Sequence, residues 1–148
     1  MNHSTYLESK VLTASPQRLH LLLIEGAIRF GRQADEALRR GDKVAASAPL
    51  LRAIDIVGEM LAEMRSNKSE LNQKIADLYW FIFRRVSEAK INSDATALAE
   101  ALRLLEFERQ TWQLACEKLG TDLPPEPHSR SFDATTARGA KSGVSWQA

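Results

Sequence analysis

The stretch VLTASPQRLHLLLIEGAIRFG, Val11 to Gly31, decides the fold. Ser15 is placed to accept hydrogen bonds from first-turn amides, and Pro16 follows at the first helical position, where its missing N–H costs nothing. A helix starts there. Leu19, Leu22, Leu23, Gly26, Phe30, Ala34, Ala37 and Leu38 then recur mostly at three- and four-residue intervals, which marks them as a core-facing stripe, and Gly41 supplies a left-handed cap. Gly26 is the anomaly. A helix-interior glycine costs about 1 kcal/mol relative to alanine; it reads either as a point where a neighbouring helix comes close or as a tolerated weak spot.

The pattern repeats three times. Asp42 caps a second segment with the stripe Leu50 or Leu51, Ile54, Val57, Gly58, Leu61 and Met64. Pro49 inside it predicts a kink, or a short first turn with Ser47 capping the main helix. Asn67 and Glu70 have capping-box spacing and open a third stripe through Leu71, Ile75, Leu78, Ile82, Val86 and Ala89. Asn92 suits a left-handed turn position, and Ser93 or Asp94 caps a fourth helix with Leu98, Leu102, Leu105, Trp112, Cys116 and Leu119, stopped by Gly120. Four helices of roughly 18 to 26 residues joined by short links must reverse at each link. The fold class is therefore all-α, an antiparallel up-and-down four-helix bundle. Its expected organisation is an N-terminal arm over 1–14, the bundle over 15–120 and a flexible tail over 121–148, where periodicity gives way to proline, serine, threonine and glycine.

A chain of 148 residues suffices for one core, and its composition is ordinary for a globular protein. The 20 basic and 19 acidic residues leave a net charge of +1, so no global field favours nucleic acid or an anionic membrane. Nothing approaches a membrane span of about 18 apolar residues. A single cysteine and no secretory signal give a cytoplasmic expectation.

Catalytic chemistry finds no footing. His3, His20 and His128 are scattered without metal-ligand spacing, and there is no phosphate loop and no nucleophilic triad. His20 is a remote candidate for a phosphoacceptor, but it sits within LHLLLI with Arg18 as the nearest cation, and the simpler reading is a partly buried histidine. Cys116 falls on the core stripe as a small hydrophobe. What stands out is surplus apolar surface. LYWFIF, Leu78 to Phe83, goes all round its helix, and Ile56, Met60, Leu104, Phe107 and Leu114 lie off their main stripes. Such faces need another layer of protein, which the chain's own arm and tail, a second copy or a partner would provide.

These stretches resemble the flagellar secretion chaperone family FliS. The resemblance rests on Tyr6, Val11, Thr13-Ala14-Ser15-Pro16, Gly26-Ala27-Ile28-Arg29, Leu78-Tyr79, Arg84-Arg85-Val86, Glu88-Ala89-Lys90, Asn92-Ser93-Asp94 and Trp112, in that order along the chain. It implies a non-enzymatic, cytoplasmic export chaperone that binds the disordered C-terminal segment of flagellin and keeps it from polymerising. No cofactor or metal, no nucleic acid and no membrane insertion is implied; the flagellar export gate or other flagellar regulators stand as further partners. A disordered segment folding along apolar grooves would use the surplus surface. The candidate client-binding residues are then Tyr6, Leu7 and Val11 of the arm with Ile56, Met60, Tyr79, Trp80, Phe83 and Phe107. The rival reading is a helical homodimeric module without a flagellin client.

Overall fold

A computed structural model describes residues 14–122. They form four α-helices and no strand: α1 (Pro16–Arg39), α2 (Lys43–Ser66), α3 (Glu70–Asn92) and α4 (Ala95–Asp122). By its contacts the chain divides into two units, Leu23–Thr111 and a second one built from the flanking segments. The first holds most of every helix. Contacts around it link α1 to α2 (Gly26 with Ile56, Phe30 with Arg52), α2 to α3 (Gly58 with Phe83, Arg65 with Trp80), α3 to α4 (Arg85 with Glu100, Tyr79 with Glu108) and α4 back to α1 (Leu102 with Gly31). In the first three pairs, moving forward along one helix moves the partner backward along the next, which leaves α4 antiparallel to α1 as well. This is the antiparallel up-and-down bundle. In the second unit, whose described residues begin α1 and end α4, the buried His20 ring packs on Trp112 at 4.2 Å.

The caps follow side-chain chemistry. Ser15 Oγ accepts from Arg18 N, Asp42 from Ala45 N, Ser69 from Asn72 N, and Asp94 from both Thr96 N and Ala97 N. Gly41, at φ 77°, ends α1 with its own N–H on the Leu38 carbonyl and that of Asp42 on Ala37, a Schellman motif. At the end of α3 it is Ser93, not Asn92, that takes the left-handed conformation (φ 52°), and the N–H groups of Ser93 and Asp94 both reach the Ala89 carbonyl. The third helix is capped by Ser69 rather than Asn67, which turns Leu71 out into solvent. Pro49 sits inside an uninterrupted α2 with no second cap at Ser47. Gly120 does not stop α4, which runs on to Asp122.

The buried stripes are narrower than apolar counting predicts. In α1 the interior positions are His20, Leu21, Ile24, Gly26, Ala27, Ile28, Gly31, Ala34 and Ala37, while Leu19, Leu22, Leu23, Phe30 and Leu38 are only half-buried. In α2 they are Ala46, Leu50, Ala53, Val57, Met60, Leu61 and Met64. Helices that approach closely place small residues at the line of contact and leave large side chains to flank it. Gly31 shows this most sharply: a Cβ there would lie 2.7 Å from Leu102 Cδ2, whereas at Gly26 it would make an ordinary contact of 3.4 Å with Ile56 Cδ1. The tight approach is therefore at Gly31, and Gly26 is the milder of the two.

Candidate functional site

Six consecutive large residues cover more than one helical turn, so LYWFIF cannot all point inward. The structure sorts them. Tyr79 and Ile82 are fully buried, Leu78 and Phe83 are half-buried, and Trp80 (43% exposed) and Phe81 face outward. Trp80 and Phe83 lie one turn apart and stack with ring centroids 5.8 Å apart and planes 17° from parallel. Phe83 leans over Gly58 of α2, where an added Cβ would meet its ring at 3.5 Å, and the Arg65 guanidinium lies 5.7 Å above the Trp80 ring. Phe83 thus packs against the bare backbone of position 58, and with Trp80 it forms an apolar strip between α2 and α3. Seven and fourteen residues before Gly58, on the same face of α2, stand the exposed Leu51 and Val44. Two turns beyond Phe83 on antiparallel α3 stands the exposed Ile91, which extends the strip in the same direction.

Of the residues expected to contact a client, Trp80 and Phe83 are brought together on this face. Met60 and Tyr79 are corrected to the interior. Met60 is 0% exposed because it lies three residues from Val57 and four from Met64 on the core line. Tyr79 is 0% exposed and its hydroxyl donates a 2.7 Å hydrogen bond to the buried Glu108 carboxylate, which requires such a donor. Ile56 is half-buried on the α1 side of α2, away from the strip, and Phe107 (62% exposed) stands on α4 with the exposed Leu114 seven residues on. Tyr6, Leu7 and Val11 lie outside the described residues. Leu51, Val44, Ile91 and Arg65 were missed by the reading of the sequence, although the seven-residue spacing of Val44, Leu51 and Gly58 was there to be found.

The opposite face of the Leu23–Thr111 unit, between α1 and α4, has another character. An open cleft of about 740 Å³ is lined mainly by charged residues. Arg109 donates 2.7 and 2.8 Å hydrogen bonds to Glu106, Arg32 reaches the same carboxylate at 3.3 Å, and Arg39 pairs with Asp35 at 2.8 Å. The hydrogen bond from Arg109, then the positive charges of Arg109 and Arg32, hold the Glu106 carboxyl below its ordinary range.

Among the described residues catalytic groups do not assemble. His20, buried completely, cannot serve as an accessible phosphoacceptor, and Cys116 is likewise buried. Among the described residues no cluster of three potential metal ligands exists, and no helix is long and apolar enough to cross a membrane.

Sequence comparison agrees with an interaction protein. The family model described as flagellar protein FliS matches residues 1–119. The flagellar secretion chaperone FliS of Salmonella typhimurium is 33% identical over 109 residues, covering 72% of this chain and 81% of that protein. Its namesake from Bacillus subtilis is 29% identical over 115 residues, 78% of this chain and 86% of that protein. The Escherichia coli protein of the same name is 27% identical over 109 residues, with 72% and 80% covered.

Proposed function

The chain belongs to the flagellar protein FliS family, a family of export chaperones and not of enzymes, and from that premise we propose that it binds the disordered C-terminal segment of flagellin in the cytoplasm and keeps it unassembled until export. The segment folds as a helix along the α2–α3 strip. The observation that carries this reading is the stacked Trp80–Phe83 pair over Gly58, continued by Leu51 and Ile91: apolar surface placed outside a bundle whose interior is already filled. A preformed apolar strip suits a ligand that orders on arrival, because burial of its apolar face offsets the entropy it loses. Arm residues Tyr6, Leu7 and Val11 and the exposed Phe107 add contacts to the same client.

Calorimetric titration of the full chain with a C-terminal flagellin peptide tests it. Expected are a one-to-one complex, a gain of peptide helix and a clearly negative heat-capacity change. Trp80→Ala, at an exposed position with little role in folding, should weaken binding about tenfold. A flat titration at roughly tens of micromolar peptide refutes the reading. If elution shows a dimer that the peptide does not dissociate, the strip joins two copies instead.

A further inference from the structure

The outer side of α4 carries an apolar line of its own, apart from the α2–α3 strip. Leu104, Phe107, Thr111 and Leu114 follow one another at intervals of three, four and three, the alternation that keeps a seam on one side of a helix for a facing helix to pack against. Phe107 and Leu114 are 62% and 66% exposed, and Leu104 is half-buried. Thr111 suits the seam, because its hydroxyl is spent within the helix, donating to the Phe107 carbonyl at 3.1 Å, and its methyl group remains for a neighbour.

The flanks of the seam say what faces it. Lay a second α4 antiparallel on the first so that Leu104 meets Leu114 of the second copy, and every other match is set by helical spacing. Phe107 then meets Thr111, Arg103 meets Glu117, Glu100 meets Lys118, and Gln110 meets its own copy at the two-fold axis. Apolar falls on apolar and each charge on its opposite, and the symmetry makes every match twice. Arg103 and Lys118 are exposed and make no ion pair among the described residues. Glu117 accepts from Gln113 through Oε2 and Glu100 pairs with Arg85 through Oε1, and a carboxylate has room for a further donor. A net charge of +1 per chain leaves little to hold two copies apart.

We propose that this seam of α4 docks the same seam of a second copy of the chain, antiparallel about a two-fold axis. The helix is folded beforehand, so pairing incurs no nucleation cost. Its reach is modest: Glu100 to Lys118 spans about 27 Å, less than a standard interface needs, which gives a reversible dimer with a dissociation constant of roughly tens of micromolar. The chain's own residues 123–148 are the wrong occupant. Their large apolar side chains, Leu123, Phe132, Val144 and Trp146, recur at no helical spacing and follow or flank three prolines. Phe107 is also a client contact in the reading above, so client and second copy exclude each other there. The dimer itself does not depend on the client being flagellin, and its test contains no client.

Sedimentation of the full chain decides it. Over roughly 5 to 200 µM the mass should rise from 16.6 kDa towards twice that. Leu114→Glu, at a position that folding leaves exposed, should hold the chain monomeric over the same range. Arg103→Glu and Glu117→Arg should each weaken the dimer about tenfold, since two attractive matches become repulsive. Mixed in equal amounts, these two variants should pair with each other within about threefold of the wild-type affinity, because both matches again join opposite charges. Circular dichroism should show every variant as helical as the wild type. A monomer throughout the range, whether the seam stays bare or another part of the chain covers it, overturns the proposal. So does a dimer that Leu114→Glu leaves intact or that Trp80→Ala dissolves, and so does a mixture no tighter than its two components, which would deny the antiparallel register.

Discussion

Two glycines in one helix should respond in opposite directions to the same substitution. At Gly31 a new methyl would sit 2.7 Å from Leu102 Cδ2, about 0.8 Å or more inside the 3.5–4.0 Å optimum for two carbons. Overpacking of this kind costs about 1–3 kcal/mol. Alanine returns about 1 kcal/mol of helix propensity over glycine, so Gly31→Ala should destabilise by about 1 kcal/mol. At Gly26 the nearest side-chain atom, Ile56 Cδ1, is 3.4 Å away, already at contact distance, and Gly26→Ala should stabilise by about 0.5–1 kcal/mol. The gap between the variants is about 1.5–2 kcal/mol, readable in urea titrations followed by circular dichroism with an unchanged m-value. A second arm isolates the cause. In a Leu102→Ala background, which removes the offending Cδ atoms, Gly31→Ala should turn stabilising. If Gly31→Ala equals or exceeds Gly26→Ala in stability, or if the Leu102→Ala background leaves its sign unchanged, the close-approach argument fails.

Tyr79→Phe deletes the donor to a buried carboxylate and should cost about 1.5–3 kcal/mol by chemical denaturation; a loss under about 0.5 kcal/mol would mean Glu108 is content without it. Ser93→Gly should stabilise by about 1 kcal/mol, because a non-glycine residue at φ 52° carries the left-handed penalty that glycine lacks; no rise in the denaturation midpoint would contradict this. Glu106 has its folded-state pKa below the unfolded value, so its contribution is present above the ordinary carboxylate range and fades as pH falls through the folded pKa. Glu106→Gln should therefore cost under about 1 kcal/mol at neutral pH and nothing in strong acid, as stability measured across pH would show; a cost that grows on acidification would reverse the sign.

Helix number, order and direction were legible because caps are local chemistry: Ser15-Pro16, Asp42, Asp94 and Gly41 act within one turn of themselves, and the backbone conforms to them. Which face turns inward was less legible. In α1 the largest side chains suggested Leu22, Leu23 and Phe30, yet the interior line is Ile24, Ala27, Ile28, Gly31 and Ala34, since the spacing between helices is a property of the pair and no single helix states it. The same blindness put Met60 and Tyr79 on the surface. Tyr79 has an outward-looking polar end whose partner, Glu108, lies on another helix 29 residues away, and nothing local announces the match. The aromatic surplus of Leu78–Phe83 was readable from sequence, but its arrangement was not, for the lean of Phe83 over position 58 depends on which residue of α2 lies opposite.

The line of contact through α1 and its neighbours is built from hydrogens and methyl groups: Ala27, Gly31 and Ala34 on α1, Ala46 and Ala53 on α2, Ala76 and Ala89 on α3, Ala97 and Ala101 on α4, all buried. Alanine scanning, the usual way to find what matters in a small protein, is silent at the eight alanines among them, because there is nothing left to truncate; only at Gly31 does it enlarge the side chain. The bundle would look tolerant along the very line that sets its diameter. Enlargement is the informative perturbation here. Substituting valine or leucine at each of these nine positions would trace the closest approach of the helices directly, with the greatest losses where two small residues face each other, and would give a map of interhelical distance read in denaturation midpoints.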